Sequence, residues 1–387
     1  FNVHLNMTLD MKPHIVVLGA GFGGLELTSV LSERIGDRAE ITLIDKNDTF
    51  YFGFSKFDVM FGKKTDDAVK IPYSAIAKPG VRFRREEITA FDPASKRVTT
   101  DKGSYQADVL VIALGADYDM DATPGLIDGG NEFYTFAGAN KLREIIPTFK
   151  KGHALVGVCG APFKCPPAPS ECALLMHDHL TSTGVRYECE ITIVMPFPSP
   201  IPPSPDSSKA LLEAFVERNI KFIPKKKVGF IDKPRKTAVL DDGSEIPFDL
   251  FLGIPKHVPP KVVIESGMVE NGWVPVDRKD LSTKYRGVYA VGDVTAVGTP
   301  KAGVFAEGAA KVAADAIIAE LEHGENPGPY NGAGSCYIEY GEGKVGRVDV
   351  DFFSGPAPKG IHHDPSELMM IEKEHFGSSR KSRWFGL

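Results

Sequence analysis

The chain has 387 residues, more than one ordinary domain holds, so two or three sub-structures are expected. It is 42% apolar and 25% charged with a net charge of -6, a balance that builds sizeable cores and gives no reason to expect nucleic acid as a partner. No run of about 18 or more uncharged apolar residues occurs, the start lacks a charged-then-apolar secretory leader, and five scattered cysteines are too few for a disulfide scaffold. A cytoplasmic protein is therefore expected, in which any cysteine bridge serves catalysis rather than structure.

The stretch FNVHLN ahead of Met7 reads as a remnant foreign to the folded chain. HIVVLGAGFGGLELTSVLSE then reads as strand, tight turn and helix, and AEITLIDKN as the next strand of a βαβ unit. YQADVLVIALGA is a further buried strand ending at Gly115. A second α/β segment starts near residue 118, with HALVGVCG and CEITIVMPF as strands around the helix SECALLMHDHLTS. MPFPSPIPPSPDSS is too proline-rich for a regular element and reads as a loop or lid. KALLEAFVERN is an amphipathic helix, and TAVLDDGSEIPFDL a hairpin turning at Asp-Gly. GVYAVGD is a late strand before the long helix AGVFAEGAAKVAADAIIAELEHG. GSCYIEYGEGKVGRVDVDFF alternates as a hairpin around Gly-Glu-Gly, and IHHD reads as loop. The expected fold is α/β: two Rossmann-like dinucleotide-binding domains, 11–117 with 280–330 and 118–279, and a small β-rich segment over 331–387.

In GAGFGG, Gly19 allows the tight turn, Gly21 admits a pyrophosphate close to the backbone, and Gly24 lets the helix pack on the strand. Phe22 and Gly23 open the helix whose N-terminal amides and dipole would hold that pyrophosphate. Asp45, with Lys46 beside it, ends the second strand where a ribose would hydrogen-bond. Ala113 and Gly115 supply a second small-residue turn. Gly292 and Asp293 follow a late strand, where a carboxylate can bind a ribityl hydroxyl, a group that FAD has and NAD lacks. These three segments together resemble the two-dinucleotide-binding-domain flavoproteins, and that resemblance implies FAD.

The second strand-turn, GVCGAPFKCPP, keeps Gly157 and Gly160 but places Phe163 and Lys164 where small residues are wanted. Pro162, Pro166 and Pro167 remove amide donors that an anion site needs. A nicotinamide dinucleotide should bind poorly here. A thiol stands in its place: Cys165, in a proline-framed turn leading into a helix whose dipole should lower its pKa. Cys336 lies far downstream, and neither cysteine belongs to a C-x-x-C pair. CPPAPSE and GSCYIEYGEGKVGRVDVDFF are similar to the two cysteine segments of sulfide:quinone oxidoreductases and of the flavoprotein subunit of flavocytochrome c sulfide dehydrogenase.

That resemblance implies that Cys165 and Cys336 meet at the flavin as a redox-active pair; the alternative reading of the residues is two buried thiols. It implies that Glu171 carries protons near the sulfur, where a plain first-turn helix glutamate is the alternative. It also implies that Lys301, before the long helix, steadies charge on the flavin, the alternative being a surface lysine. Sulfide or a persulfide, and a quinone, would be the substrates.

The chain also departs from the family. Some members carry a third cysteine upstream, and none lies between Gly115 and Val158; Cys159 or Cys172 could substitute. NDTFYFGFSKF has no cysteine for a flavin link, so FAD is expected to be noncovalent. HDH at 177–179 has no metal-ligand spacing and reads as surface, and no metal site is expected. The tail ELMMIEKEHFGSSRKSRWFGL suits either a short interfacial anchor ending in Trp384 and Phe385, at the inner face of a membrane, or a docking helix. Phe352 and Phe353 are expected to wall a quinone site. Two other readings stay open: an enzyme like the type II NADH:quinone oxidoreductases, and a non-enzymatic flavin-thiol redox sensor.

Overall fold

The computed structural model describes residues 11–387, so the FNVHLN stretch lies outside the described residues. In chain order, β1 (His14–Leu18), α1 (Phe22–Ile35), β2 (Glu40–Asp45), β3 (Val81–Arg85) and β4 (Val109–Ile112) build a first parallel sheet. A second follows from β5 (Gly152–Val158), α2 (Ala168–Ser182), β6 (Cys189–Val194), α3 (Pro205–Glu217), β7 (Ile220–Ile223) and β8 (Leu250–Ile254). The chain then returns to the first sheet with β9 (Val288–Ala290) and crosses it with α4 (Gly303–Leu321). It ends in β10 (Ala333–Gly341), β11 (Lys344–Asp351), β12 (Lys359–Ser366) and α5 (Glu367–Phe385).

The strand orders are β9-β4-β1-β2-β3 and β7-β6-β5-β8. Central strands of such sheets are covered on both faces, which is why β1, β4 and β5 are near-continuous apolar runs instead of alternating ones. In each sheet the glycine-turn strand (β1 or β5) is flanked by the next strand in sequence and by a later one, and α1 packs on α4. The last three strands form a separate antiparallel sheet laid against α2 and α5. Its hairpin turns at Glu342 and Gly343, both with positive φ (56° and 72°), the conformation a two-residue loop needs to match strand twist.

Three local expectations change. IHHD is strand: Arg347 pairs with His363 and Val348 with His362 across β11 and β12, so a third strand extends the expected hairpin. The proline-rich segment is irregular only to Ser204. Pro205 opens α3, where a missing N–H costs nothing, and the Ser204 hydroxyl caps it by accepting the Ser207 N–H at 3.1 Å. The histidines of HDH are half-buried, with His177 Nδ1 accepting from Arg186 Nε at 2.9 Å.

The tail is a docked helix. Trp384 and Phe385 are 1% and 3% exposed, and Trp384 meets Phe22 edge-on at 5.2 Å between ring centres. Arg383 Nε and Nη2 both donate to the fully buried Glu26 carboxylate (2.7 and 2.9 Å), which also accepts from Trp384 Nε1 at 3.0 Å. Arg380 grips Glu307 of α4 in the same two-pronged way. The two terminal aromatics therefore cannot serve as an outward anchor. No helix among the described residues is long and apolar enough to cross a membrane.

Candidate active site

The first turn is shaped by the lack of Cβ atoms. Gly19 has φ +100°, and a Cβ there would lie 2.2 Å from the Ala113 carbonyl oxygen. A Cβ on Gly24 would lie 1.8 Å from the Gly19 carbonyl oxygen, whereas one on Gly21 would meet nothing within 4 Å. The tight turn, the close helix and the open approach are three separate requirements met by three glycines. Asp45 accepts the Ala20 N–H at 2.9 Å and the Asn47 N–H at 2.9 Å, so it braces this turn as well as facing the site, while Lys46 beside it is exposed.

Ala113 hydrogen-bonds back to Leu18 (2.8 Å), and Gly115 and Gly292 both have positive φ. Asp293 follows, and among the described residues its carboxylate accepts no hydrogen bond; burial raises its pKa against the pull of Lys164 and Lys301. All these segments lie at the carboxyl ends of β1, β2, β4 and β9, the edge where parallel sheets bind nucleotides. The Cβ-free cradle and the unpartnered Asp293 carboxylate fit a flavin dinucleotide. Phe22 offers only backbone, since its ring is packed among Phe50, Phe52 and Trp384.

The second turn sits at the matching end of β5 and is filled. Phe163 is 1% exposed and stacks on Phe197 with ring centres 5.3 Å apart. Cys165 has φ +52°, rare for a residue with a side chain, and is held there by its N–H to the Lys301 carbonyl (2.8 Å) and its own carbonyl to the Ala168 N–H (2.8 Å). The turn is thereby stitched to the segment that leads into α4.

The expected lowering of the Cys165 thiol is not found. Although open to solvent on one side, the thiol is closely surrounded, and burial pushes it up to about 11. Glu171 and Asp293 push the same way, and Lys56 and Lys164 oppose them. Two residues, Pro166 and Pro167, separate Cys165 from the first turn of α2, and the helix end does not outweigh these neighbours.

Cys336, on β10, is brought to the same place because β10 packs on α2. Burial pushes its thiol up to about 12, with Cys165 and Glu171 adding to the rise. Both thiols are free. Glu171 is buried, and its carboxylate accepts the Glu339 N–H at 3.0 Å; burial raises it to about 7 although Lys373 pulls it down. Lys373 in turn donates to Glu339 at 2.6 Å. The Cys159 sulfur lies 3.8 Å from the Gly157 carbonyl, and Cys172 is packed and fully buried.

Lys301 is not a surface lysine. It is 6% exposed, donates to the Asp293 and Thr295 carbonyls (2.6 and 3.1 Å) and lies 3.6 Å from the centre of the Trp273 ring, with burial lowering it to about 8. Its ammonium thus props the Asp293 turn. Phe352 packs edge-on against Phe305, and Phe353 lies under the Arg278 guanidinium at 3.8 Å. Sequence reasoning did not single out Lys56, Tyr118, Tyr134, His257, Glu339 or Lys373, although Glu339 lies three residues past Cys336 in the GSCYIEY segment. It weighed Lys164 only as bulk.

Two parallel sheets of this kind, with a phosphate cradle at the first and a thiol pair at the second, define a flavoprotein oxidoreductase with two dinucleotide-binding domains. A family model described as pyridine nucleotide-disulphide oxidoreductase matches residues 13–313, and the chain belongs to that family, in its sulfide:quinone oxidoreductase group. Membership implies an FAD-type flavin cofactor. The chain is 26% identical over 380 residues to the mitochondrial sulfide:quinone oxidoreductase of Mus musculus, covering 92% of this chain and 82% of that protein. The X-ray structure of the sulfide:quinone oxidoreductase from Aquifex aeolicus superposes with a TM-score of 0.86 at 25% identity, over 96% of this chain and 91% of that one. A type II NADH:quinone oxidoreductase from Staphylococcus saprophyticus is 33% identical over 138 residues, but covers 35% of this chain and 34% of that protein.

Proposed function

We propose that this protein oxidises sulfide, or a persulfide, through the Cys165–Cys336 pair and passes the electrons by way of FAD to a quinone. The observation that carries this reading is that β10 packs on α2, which brings Cys336, far along the sequence, within electrostatic reach of Cys165, with the buried Glu171 acting on both thiols. The likeness to sulfide:quinone oxidoreductases along nearly the whole chain supports it.

In the oxidised state the two sulfurs are joined. Hydrosulfide attacks one of them; the S–S bond between the cysteines breaks, a new S–S bond forms, and one cysteine leaves as a thiolate with the bonding pair. Glu171, poised near neutrality, accepts the proton released by hydrogen sulfide or by the persulfide and hands it outward past Glu339 and Lys373. Sulfur leaves as polysulfide or as a sulfane sulfur on a second nucleophile. A bound flavin supplies the two-electron acceptor that returns the pair to the disulfide level. No cysteine lies near the ribose-binding acid, so the FAD is held noncovalently.

The filled second turn argues against NADH as the donor, since Phe163 occupies the place a pyrophosphate needs and the prolines supply no amide. Peripheral membrane contact, in this reading, falls to Ile361, Leu368 and Ile371, which are 64%, 65% and 61% exposed at the start of the terminal helix and on the strand before it. Anaerobic titration of the flavin-bound protein tests the proposal. Sulfide should bleach the flavin band stoichiometrically and NADH should leave it unchanged. Bleaching by NADH alone would overturn the reading.

A further inference from the structure

Cys165 takes a conformation uncommon for a residue with a side chain, φ +52°, and the residue before it is tied at every polar group. The Lys164 N–H donates to His257 Nε2 at 3.1 Å, and its carbonyl accepts the Tyr134 hydroxyl at 2.6 Å. Lys164 Nζ donates to the Ala116 carbonyl and to the Tyr118 hydroxyl (3.0 and 3.3 Å). The Cys165 N–H then bonds to the Lys301 carbonyl. Chain around residues 116–118, 134, 257 and 301 thus converges on two adjacent residues. A rare backbone conformation persists where its surroundings over-determine it in this way.

Tyr134 and His257 are both buried and are themselves fixed. A backbone N–H can only donate, so the Lys164 contact makes His257 Nε2 an acceptor and puts the ring proton on Nδ1, which donates to the Pro255 carbonyl at 2.8 Å. Burial and the neighbouring lysines press His257 down to about 3, so the ring stays neutral. It stands edge-on to Tyr118 and Tyr134, with ring centres 4.8 and 5.3 Å away. The Tyr134 N–H donates to the Glu132 carboxylate at 2.7 Å, and its carbonyl accepts Lys56 Nζ at 2.6 Å. The hydroxyl and the imidazole therefore meet Lys164 from fixed positions.

We propose that Tyr134 and His257 are positioning residues that, by gripping the carbonyl and the N–H of Lys164, hold Cys165 in its left-handed conformation and so favour its bridge to Cys336 over two free thiols. The Lys164 carbonyl and the Cys165 N–H belong to one planar peptide unit. The Tyr134 hydroxyl and the Lys301 carbonyl hold that unit at both ends, and φ of Cys165 is the rotation this hold prevents. His257 fixes the unit before it. Once the grip is released, a reduced Cys165 can relax toward an ordinary φ, whereas a bridged one is tied to β10 and cannot follow. Losing the grip therefore costs the bridged state more than the reduced one. That consequence rests on the two-cysteine reading; the clamp itself does not.

The test reads the thiol–disulfide balance and uses no sulfide. Flavin-bound protein is equilibrated under argon with glutathione and glutathione disulfide, so that two protein thiols give up two electrons and two protons as one glutathione disulfide becomes two glutathiones. After acid quenching, the linked Cys165–Cys336 peptide is quantified by mass spectrometry. Tyr134→Phe, which removes one oxygen, should lower the equilibrium constant for the bridge about tenfold, the scale of one buried hydrogen bond. His257→Leu should lower it about as much. His257→Gln, whose side-chain carbonyl can accept the same N–H, should stay within about twofold of the wild type, a split that packing alone would not produce. A second measurement needs no variant: in the wild type the Lys164 and Cys165 amides should exchange with solvent at least about a hundredfold more slowly than open amides.

An unchanged bridge equilibrium in flavin-bound Tyr134→Phe would overturn the proposal, as would His257→Gln falling as far as His257→Leu. So would wild-type Lys164 and Cys165 amides that exchange at the rate of an open loop. A wild type that forms no Cys165–Cys336 peptide at any glutathione ratio would instead sink the two-cysteine reading, and the amide rates would still decide the clamp.

Discussion

The turns after β1 and β5 stand at the same place in two sheets of the same local order, yet they do opposite things with that place. The first is hollow: Gly19, Gly21 and Gly24 keep Cβ atoms out of a space that a pyrophosphate can enter. The second is filled by Phe163 stacked on Phe197, and its chain passes through a left-handed residue, Cys165. A parallel sheet offers the crevice at its carboxyl edge wherever the strand order reverses. Whether it holds an anion or a nucleophile is decided by the few residues that follow the strand. Backbone amides and absent side chains suit phosphate; prolines and a rigid turn suit a thiol that must not wander.

The contrast can be broken at either end. Replacing Cys336 or Cys165 by serine should have the largest effect, a loss on the order of a thousandfold or more in sulfide-driven flavin reduction measured by stopped flow. The 450-nm flavin band should remain, because the cradle is elsewhere. Gly24→Val should do the reverse, since its side chain would collide with the Gly19 carbonyl; the protein should purify with less than about a tenth of its flavin, read from the absorbance ratio. Phe163→Ala sharpens the comparison. Emptying the second turn should destabilise the protein by ~3–5 kcal/mol in urea unfolding, yet confer no reduction by NADH, because the prolines still withhold the amide donors.

Smaller effects are expected away from the turns. Glu171→Gln should cut turnover about a hundredfold and erase the limb of the pH profile near 7, as loss of a general acid–base does. The same variant has a signature in stability. Because the folded-state pKa is raised, the neutral acid stabilises the fold fully below the ordinary carboxyl range, and that contribution is lost as pH rises through about 7. The melting temperature of Glu171→Gln should therefore fall less than that of the wild type between about pH 5 and about pH 8.

Much of this was legible in the sequence because it is local. A glycine turn between an apolar strand and a helix, a two-residue hairpin loop and a proline-framed cysteine each announce themselves within a dozen residues. Cys165, Cys336 and Glu171 came from motif likeness, and packing of β10 on α2 brings them together. What was not legible is what depends on long-range packing. Lys56 and Lys373 reach the site from a short helix and from the terminal helix, 109 and 208 positions from Cys165, and no spacing rule links them. The direction of the Cys165 shift was misjudged for the same reason: a helix end can be seen in sequence, whereas burial and two facing carboxylates cannot. Trp384 and Phe385 allowed an anchor or a docked helix, and Glu26 on α1, the partner that decides, lies at the other end of the chain.

The claim beneath all of this is that the second turn exists to hold one half of a sulfur pair whose other half is Cys336. Non-reducing peptide mapping of the oxidised protein, before and after one equivalent of sulfide added without quinone, tests it most directly. The account predicts a Cys165–Cys336 linked peptide that disappears on treatment, with one extra sulfur trapped on one of the two cysteines. Oxidised protein with both thiols free, or a bridge involving Cys159, Cys172 or Cys189 instead, would contradict it.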